Sequence, residues 1–426
     1  MKKVLIALGV ILALVILAVI IIPFLIPVEK YKEEIAAQVK SSTGRDFVIA
    51  GPLSLSLFPN IALSAEDVRF ANWPASKEPQ MATLKELKLS VALMPLLSGK
   101  MQIKGFTLVE PVIHLERDKN GRGNWEFDTA AKEPASPEPA ESGDIGSMIE
   151  KLQLGDFRIS NGLVTYLDPA SGLERMEVKN INLRASLPAY DAPFKGEGDL
   201  VWKGKKVALA ISTNNLRNLM EGKGEKVAAS IDSDLIDFSL DGTARMGDAI
   251  EADGKAKLST PSVRELAAWL AEPLEAPGTG LGPLSIAGDL AVRENRYGFT
   301  NVDLALDALR AKGGVTLETG GGRAMIRGEL VTDALDLNPY LPPEPEETPE
   351  WTGWSTEPLD LSGLKAADMA LSFRTGSLKF RDITIGKSDL ELNLKNGVLA
   401  ANLKEMALYE GTGSGSLTVD ASGSVP

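Results

Sequence analysis

The chain has 426 residues, a single histidine and no cysteine. Thiol nucleophiles, disulfides and zinc–thiolate sites are therefore excluded at the outset. The histidine, His114, lies in a run where alternation turns it away from Ile113 and Leu115. A lone histidine in a strand is more often a surface residue than a general base or a metal ligand. Gly320-Gly-Gly-Arg323 has the chemistry of an anion cradle, but glycine runs between strands commonly serve as turns. Asp232, Asp234 and Asp237 offer oxygens of the kind calcium takes. They lack the spacing and the glycine of an EF-hand, and solvent-facing strand carboxylates explain them more simply. HExxH, GxSxG and GxxxxGK[ST] do not occur. The sequence thus assigns no catalytic residue, no cofactor-binding residue and no metal ligand, and a non-enzymatic protein is expected.

Apolar surface in regular arrays is what the chain offers instead. Between Lys3 and Glu29 no side chain is charged, and Val4–Ile26 is almost wholly Val, Leu, Ile and Ala. As a helix this run is roughly 34 Å long at 1.5 Å per residue, enough to cross a hydrocarbon core of about 30 Å. A helix also satisfies its backbone polar groups internally, as lipid requires. A cleaved signal peptide would be shorter and would end in small residues, whereas this run ends in Pro23-Phe-Leu-Ile-Pro27. An uncleaved anchor is expected, with Val4, Leu5, Ile11, Leu14, Ile20 and Ile26 among its lipid-facing residues. Lys2 and Lys3 place the N-terminus on the cytoplasmic side and the remainder of the chain across the membrane.

Composition narrows the rest. Forty-five Lys and Arg stand against 58 Asp and Glu, a net charge of −13, which argues against a nucleic-acid partner. A chain 44% hydrophobic and 24% charged is globular, and its length calls for more than one domain. Forty glycines and 25 prolines suit many turns between short strands.

After the anchor, Val28–Ser42 reads as an amphipathic helix carrying Tyr31, Ile35, Ala36 and Val39 on one stripe, with Gly44 as its stop. It would lie on the membrane surface or pack under the first domain. The period then changes to two. Leu53, Leu55 and Leu57 alternate with serines, as do Leu87, Leu89 and Val91 with polar residues, and Ile113 and Leu115 share a face. Similar runs continue to the end, separated by turns such as Asp168-Pro-Ala-Ser-Gly172, Lys312-Gly-Gly314 and Asn396-Gly397. One further helix is expected over 262–271, where Ser262 and Glu265 form a capping box. Two Pro/Glu-rich segments, 129–146 and 341–357, interrupt the pattern. The domain plan is accordingly a cytoplasmic tip and anchor (1–27), a helix-plus-sheet domain (28–128), a linker (129–146), a β-rich middle (147–340), a second linker (341–357) and a C-terminal β repeat (358–426).

So many strands with one apolar face and few helices must either close as sandwiches or curl around an apolar groove. The residues alone do not choose. Gly44-Arg45, Gly51-Pro-Leu-Ser-Leu-Ser-Leu-Phe-Pro59, Asn72-Trp-Pro74, Val91-Ala-Leu-Met-Pro-Leu-Leu-Ser-Gly99 and Gly121-Arg-Gly-Asn-Trp-Glu-Phe127 form a recognisable set. With Ser262-Val-Arg-Glu-Leu-Ala-Ala-Trp269, Leu335-Asp-Leu-Asn-Pro-Tyr-Leu341 and Leu408-Tyr-Glu-Gly411, the chain resembles the AsmA family of envelope proteins. The resemblance implies an inner-membrane anchor, a periplasmic body in Gram-negative bacteria, and kinship with bridge-like lipid-transfer proteins that begin with a chorein-like domain. It implies an elongated, curled antiparallel β-sheet that forms a groove, with a few short helices, and so selects the open alternative. It also implies a role in outer-membrane lipid homeostasis and outer-membrane protein assembly. Members usually continue beyond the Tyr409-Glu-Gly411 motif, so a fragment or a short member is expected, with an unpaired edge on its last strand.

Two functions follow as expectations. In one, phospholipid lies against Leu53, Leu55, Leu57, Leu87, Leu89, Val91, Ile113 and Leu115, with the inner membrane and phospholipid as partners. In the other, the chain is a scaffold or regulator for outer-membrane assembly factors and carries no lipid.

Overall fold

A computed structural model describes residues 28–56, 61–92, 103–127, 155–343 and 361–423, apart from 75, 171, 173, 248, 271–272, 275–277, 321, 366 and 409–410. The expected anchor Val4–Ile26, Leu57, the linker 129–146 and most of the linker 341–357 lie outside the described residues. Among the described residues no helix is long and apolar enough to cross a membrane. The chain is mainly β and divides into two compact units, Met1–Ala208 and Leu209–Pro426.

In the first unit, α1 (Val28–Thr43) stops where expected. Gly44 turns left-handed at φ +71° and its N–H donates to the Lys40 carbonyl at 2.8 Å. β1 (Phe47–Ile49) and β2 (Leu53–Ser56) are the halves of one edge, both paired antiparallel to β3 (Ile61–Ala71). β4 (Gln80–Val91) follows, paired to β5 (Ile103–Val109) and β6 (Val112–Glu116). β7 (Asp156–Leu167), β8 (Met176–Ser186) and β9 (Phe194–Trp202) extend the sheet. Several of these strands break stride near their middles. Left-handed residues sit at Asp67 in β3, Glu110 between β5 and β6, Asn161 in β7 and Asn180 in β8. These positions neighbour one another across the sheet. The Lys85 ammonium in β4 reaches Glu110 at 2.6 Å, the Glu110 N–H donates to the Ser160 carbonyl, and the Asn161 N–H donates to Asn182 Oδ1. Each shifts the phase of alternation by one residue, so apolar side chains change parity along the strand yet still meet. Ala65 and Val68, on either side of Asp67, are in one buried cluster with Ile49 and Leu53. Bulges of this kind bend strands and increase their twist.

The second unit begins within β10 (Lys205–Thr213), followed by α2 (Leu216–Met220) and a meander of β11 (Glu225–Ser233), β12 (Ile236–Met246) and β13 (Ile250–Thr260). α3 (Val263–Leu270) starts as the capping box requires, with the Glu265 N–H donating to Ser262 Oγ at 3.2 Å. β14 (Leu284–Arg293), β15 (Arg296–Leu306), β16 (Leu309–Glu318) and β17 (Ala324–Asp336) continue antiparallel. β18 (Ala367–Phe380), β19 (Ile383–Ile385), β20 (Ser388–Lys395), β21 (Val398–Leu408) and β22 (Gly411–Asp420) complete the unit. Asn396-Gly397 makes the expected tight turn, with φ of +53° and +83°.

One turn expectation is corrected. Lys312-Gly-Gly314 is not a turn; it lies inside β16, and the β15–β16 turn is at Asp307, φ +52°. Gly313 is needed for space: a Cβ there would stand 1.9 Å from the Glu329 carbonyl oxygen on β17, and its φ is +150°. Gly242, Gly254 and Gly288 in β12, β13 and β14 face backbone oxygens in the same way, at 2.1, 2.4 and 2.7 Å.

The antiparallel pattern is broken at two joints. β7 pairs parallel with β5 and β6, and β18 pairs parallel with β17. A parallel pair needs a crossover of a dozen residues or more. The Pro/Glu-rich segments occur in the two connections that make these crossovers, so each joins strands that pair within one unit.

Candidate functional site

The register aligns apolar residues in rows across each sheet. In the first unit one row runs Leu55–Leu63–Leu89–Phe106–Phe157–Ala185. The rings of Phe106 and Phe157 stack at 5.8 Å. The adjacent row runs Leu53–Ala65–Leu87–Leu108–Ile159–Leu183. Among the sequence candidates, Leu53 and Val91 are buried, and Leu55, Leu87, Leu89, Ile113 and Leu115 are half-buried. Ile113 and Leu115 lie beyond the bend, opposite Val164 and Tyr166. α1 lies on this unit's first strands through Tyr31 and Ile35, which pack against the cluster of Ile49, Leu53, Ala65 and Val68.

The second unit repeats the pattern. Phe299, Val315, Gly328, Leu371, Leu392, Ala401 and Leu417 form one row. Phe299, Val315, Leu371 and Leu392 are half-buried, and Leu417 on β22 is 61% exposed. A closed sandwich would enclose such side chains. Instead, the largest fully buried side chains among the described residues are only Val68, Val302, Asn124 and Pro111. The opposite face is charged, and its cross-strand neighbours pair by sign: Lys255 with Asp289 at 2.5 Å, Arg293 with Asp253 at 2.7 Å, and Arg374 with Glu329.

Polar chemistry is concentrated in two clasps at strand ends. In the first unit Asn124 is fully buried. Its Nδ2 donates to Asn72 Oδ1 at 3.0 Å and to the His114 carbonyl at 2.7 Å, and its Oδ1 accepts the Glu116 N–H at 3.1 Å. Ser76 Oγ donates to Glu116 at 2.5 Å and accepts from Asn72 Nδ2 at 2.9 Å. Arg45 donates to the Asn124 carbonyl at 3.1 Å and stacks its guanidinium over Phe127 at 5.6 Å. The motifs 44–45, 72–74 and 121–127 therefore converge on one place. Bottom-up reading assigned these asparagines no role; the signal available was that each is followed by tryptophan, Trp73 and Trp125.

His114 borders this clasp. Its Nδ1 is 2.8 Å from Thr165 Oγ1 and accepts from Arg175 Nη2 at 2.8 Å, and Arg175 also reaches Glu78 at 2.9 Å. The Arg175 hydrogen bond holds the Glu78 carboxyl below its ordinary range. His114 is thus half-buried and tied to its neighbours by hydrogen bonds. Asp232 and Asp237 face each other across the β11–β12 hairpin, and among the described residues no acidic or histidine group is arranged to hold a metal ion.

The second clasp joins α3 to the end of β17. Arg264 donates to the carbonyls of Gly278 and Gly280 at 2.6 and 2.7 Å. Asp307 accepts the N–H groups of Leu281 and Gly282, both at 2.9 Å, and the Tyr340 hydroxyl at 3.0 Å. Burial, and then the bond to Asp307, push the Tyr340 hydroxyl up to about 12. The motifs 262–269 and 335–341 meet here.

Neither a curated protein nor a solved structure matches the chain. A model of the AsmA family matches residues 1–246, more than half of the sequence, and covers all three motifs of the first clasp. On that match, the chain belongs to the AsmA family.

Proposed function

We propose that this protein is a non-enzymatic, inner-membrane-anchored periplasmic component of outer-membrane biogenesis that holds or conducts phospholipid along its apolar sheet face. The observation that carries the reading is the set of half-buried apolar rows, continuous from strand to strand within each unit and backed by a charged face. A surface of this kind suits an acyl chain, since each CH₂ removed from water contributes about 0.8 kcal/mol without any directional contact. Headgroups would remain in water, so no catalytic or cofactor site is required. Val4–Ile26 would be the anchor, delivering the first apolar row to the membrane boundary.

The test places photo-crosslinking residues at Leu55, Leu89 and Ile113 in cells and identifies the adducts by mass spectrometry. Phospholipid adducts at all three are expected. Adducts to protein alone would remove the lipid reading and favour a scaffold for outer-membrane assembly factors. Leu89→Asp supplies a second arm: transfer should be lost while the melting curve is retained, whereas unfolding would make Leu89 ordinary core.

A further inference from the structure

On the polar face of the first unit two arginines oppose each other. Arg158 of β7 and Arg184 of β8 are direct cross-strand partners, and both are exposed. Like charges in that relation destabilise a sheet. Elsewhere facing cations and anions are matched, as Lys255 is to Asp289 and Lys312 to Asp303. Here neither arginine has an ion pair among the described residues. Glu197, opposite Arg184 on β9, leans to Lys195 instead at 3.8 Å, and Asp199 leans to Lys206 at 3.6 Å. Asp156 lies two residues along β7 and bonds to neither arginine. Register extends the row to Thr107 and Lys88 on one side. Lys88, Arg158, Arg184 and Lys195 thus outnumber Asp156 and Glu197 in a chain of net charge −13.

The location gives this pair a partner. Arg158 is the third residue of β7 and Arg184 the third from the end of β8, so both sit at the sheet end marked by Ile103 and Asp156. α1 runs back from β1 over β2, and its first turns, through Tyr31 and Ile35, pack with Leu53, Leu63 and Leu87, toward that same end. Whatever precedes α1 is therefore delivered to the arginine end. We infer that Arg158 and Arg184 form a seat for the phosphates of anionic phospholipid headgroups, holding the start of the apolar face against an anionic leaflet. Guanidinium forks match phosphate oxygens, and an anionic surface supplies the counter-charge that the sheet lacks. This inference rests on the reading of Val4–Ile26 as an anchor and of the apolar face as a lipid surface.

The test uses the full chain in nanodiscs of phosphatidylcholine containing a minority of phosphatidylglycerol, with a photo-crosslinker at Ser160 or at Leu89. At Ser160 the phosphatidylglycerol adduct should exceed its share of the disc by roughly five-fold per arginine. Arg158→Gln with Arg184→Gln should return it to that share, with an unchanged melting temperature. No enrichment in the parent chain, or enrichment that survives the double substitution, overturns the inference. Loss of enrichment in inorganic phosphate but not in chloride of equal ionic strength would assign the pair to free phosphate and overturn the lipid assignment. Adducts absent at Leu89 but enriched at Ser160 would remove the lipid-conduit reading and leave the seat standing.

Discussion

Asn124 donates Nδ2 to Asn72 Oδ1 across 3.0 Å, and both side chains are buried. The pair joins the segment leaving β3 to the segment leaving β6, two places far apart in sequence. Asn124→Ala leaves the Glu116 N–H, the His114 carbonyl and Asn72 Oδ1 without that partner. At about 1–3 kcal/mol for a buried group left unpaired, the loss should be about 3 kcal/mol after partial relaxation. Urea denaturation of the substituted chain should show it as a lowered midpoint with an unchanged slope. An unaltered midpoint would mean that water replaces the amide without cost.

Glycines in the second sheet should divide by geometry. Gly313→Ala drives a Cβ toward the Glu329 oxygen and should cost about 3 kcal/mol, because two backbones must separate. Gly44→Ala, at φ +71° with open space around it, should cost only the left-handed penalty of roughly 1–2 kcal/mol. Similar losses at both positions, measured by thermal unfolding, would show that backbone approach does not govern β16.

The contrast between those glycines also marks what was legible from residues alone. Alternation found the strands, because a half-buried sheet imposes period two on its own sequence. The capping box at Ser262 and the Asn396-Gly397 turn were equally local. Gly313 misled because glycine serves a turn and a close approach alike, and only the neighbouring strand distinguishes them. The phase slips at Asp67 and Glu110 were hidden for a related reason: neither residue type announces a positive φ, whereas Asn161 and Asn180 tolerate one more readily. Parallel pairing at β6–β7 left no trace, since partner choice is not written in either strand. Of the site, the apolar rows were visible as candidate leucines. The clasps needed Asn72 to meet Asn124 and Tyr340 to meet Asp307, contacts across long stretches of chain.

Carboxylates on the polar face set the acid limb of stability. Ser64 Oγ donates to Glu86 at 2.6 Å, and that bond followed by Lys88 holds the carboxyl below its ordinary 4.5. A depressed folded pKa contributes stability in full above 4.5 and loses it as pH falls through the lower folded value. Urea midpoints should therefore be flat from neutrality to about pH 5 and decline below it. Ser64→Ala should lessen the decline; a chain equally stable at pH 3 and pH 7 would contradict the assignment.

Tyr340 predicts an alkaline limb of opposite sign. Its hydroxyl is raised from 10.0 to about 12, chiefly by burial and then by its bond to Asp307. The neutral form is the one the fold favours. Its contribution is complete below pH 10 and disappears as pH rises through about 12. Tyr340→Phe should flatten this limb while lowering stability at neutral pH by about 1 kcal/mol, the worth of one hydrogen bond. Absorbance titration of the tyrosinate in the folded chain gives an independent check.

The parallel joint between β6 and β7 makes the Pro/Glu-rich segment a matter of reach. To pair Gly105 with Asp156 and Glu116 with Leu167, the chain must return along the sheet from the end of β6 to the start of β7. The return covers about 36 Å at strand spacing, which about a dozen extended residues span. The connection, residues 117–155, is much longer than that. Removing 132–141 should therefore leave both the near-ultraviolet circular dichroism and the melting temperature unchanged, because loop-closure entropy changes only slowly with length. A lowered melting temperature would show instead that the excised residues contribute packing to the first unit, and the segment would then have to be counted among the elements that hold the apolar face in place.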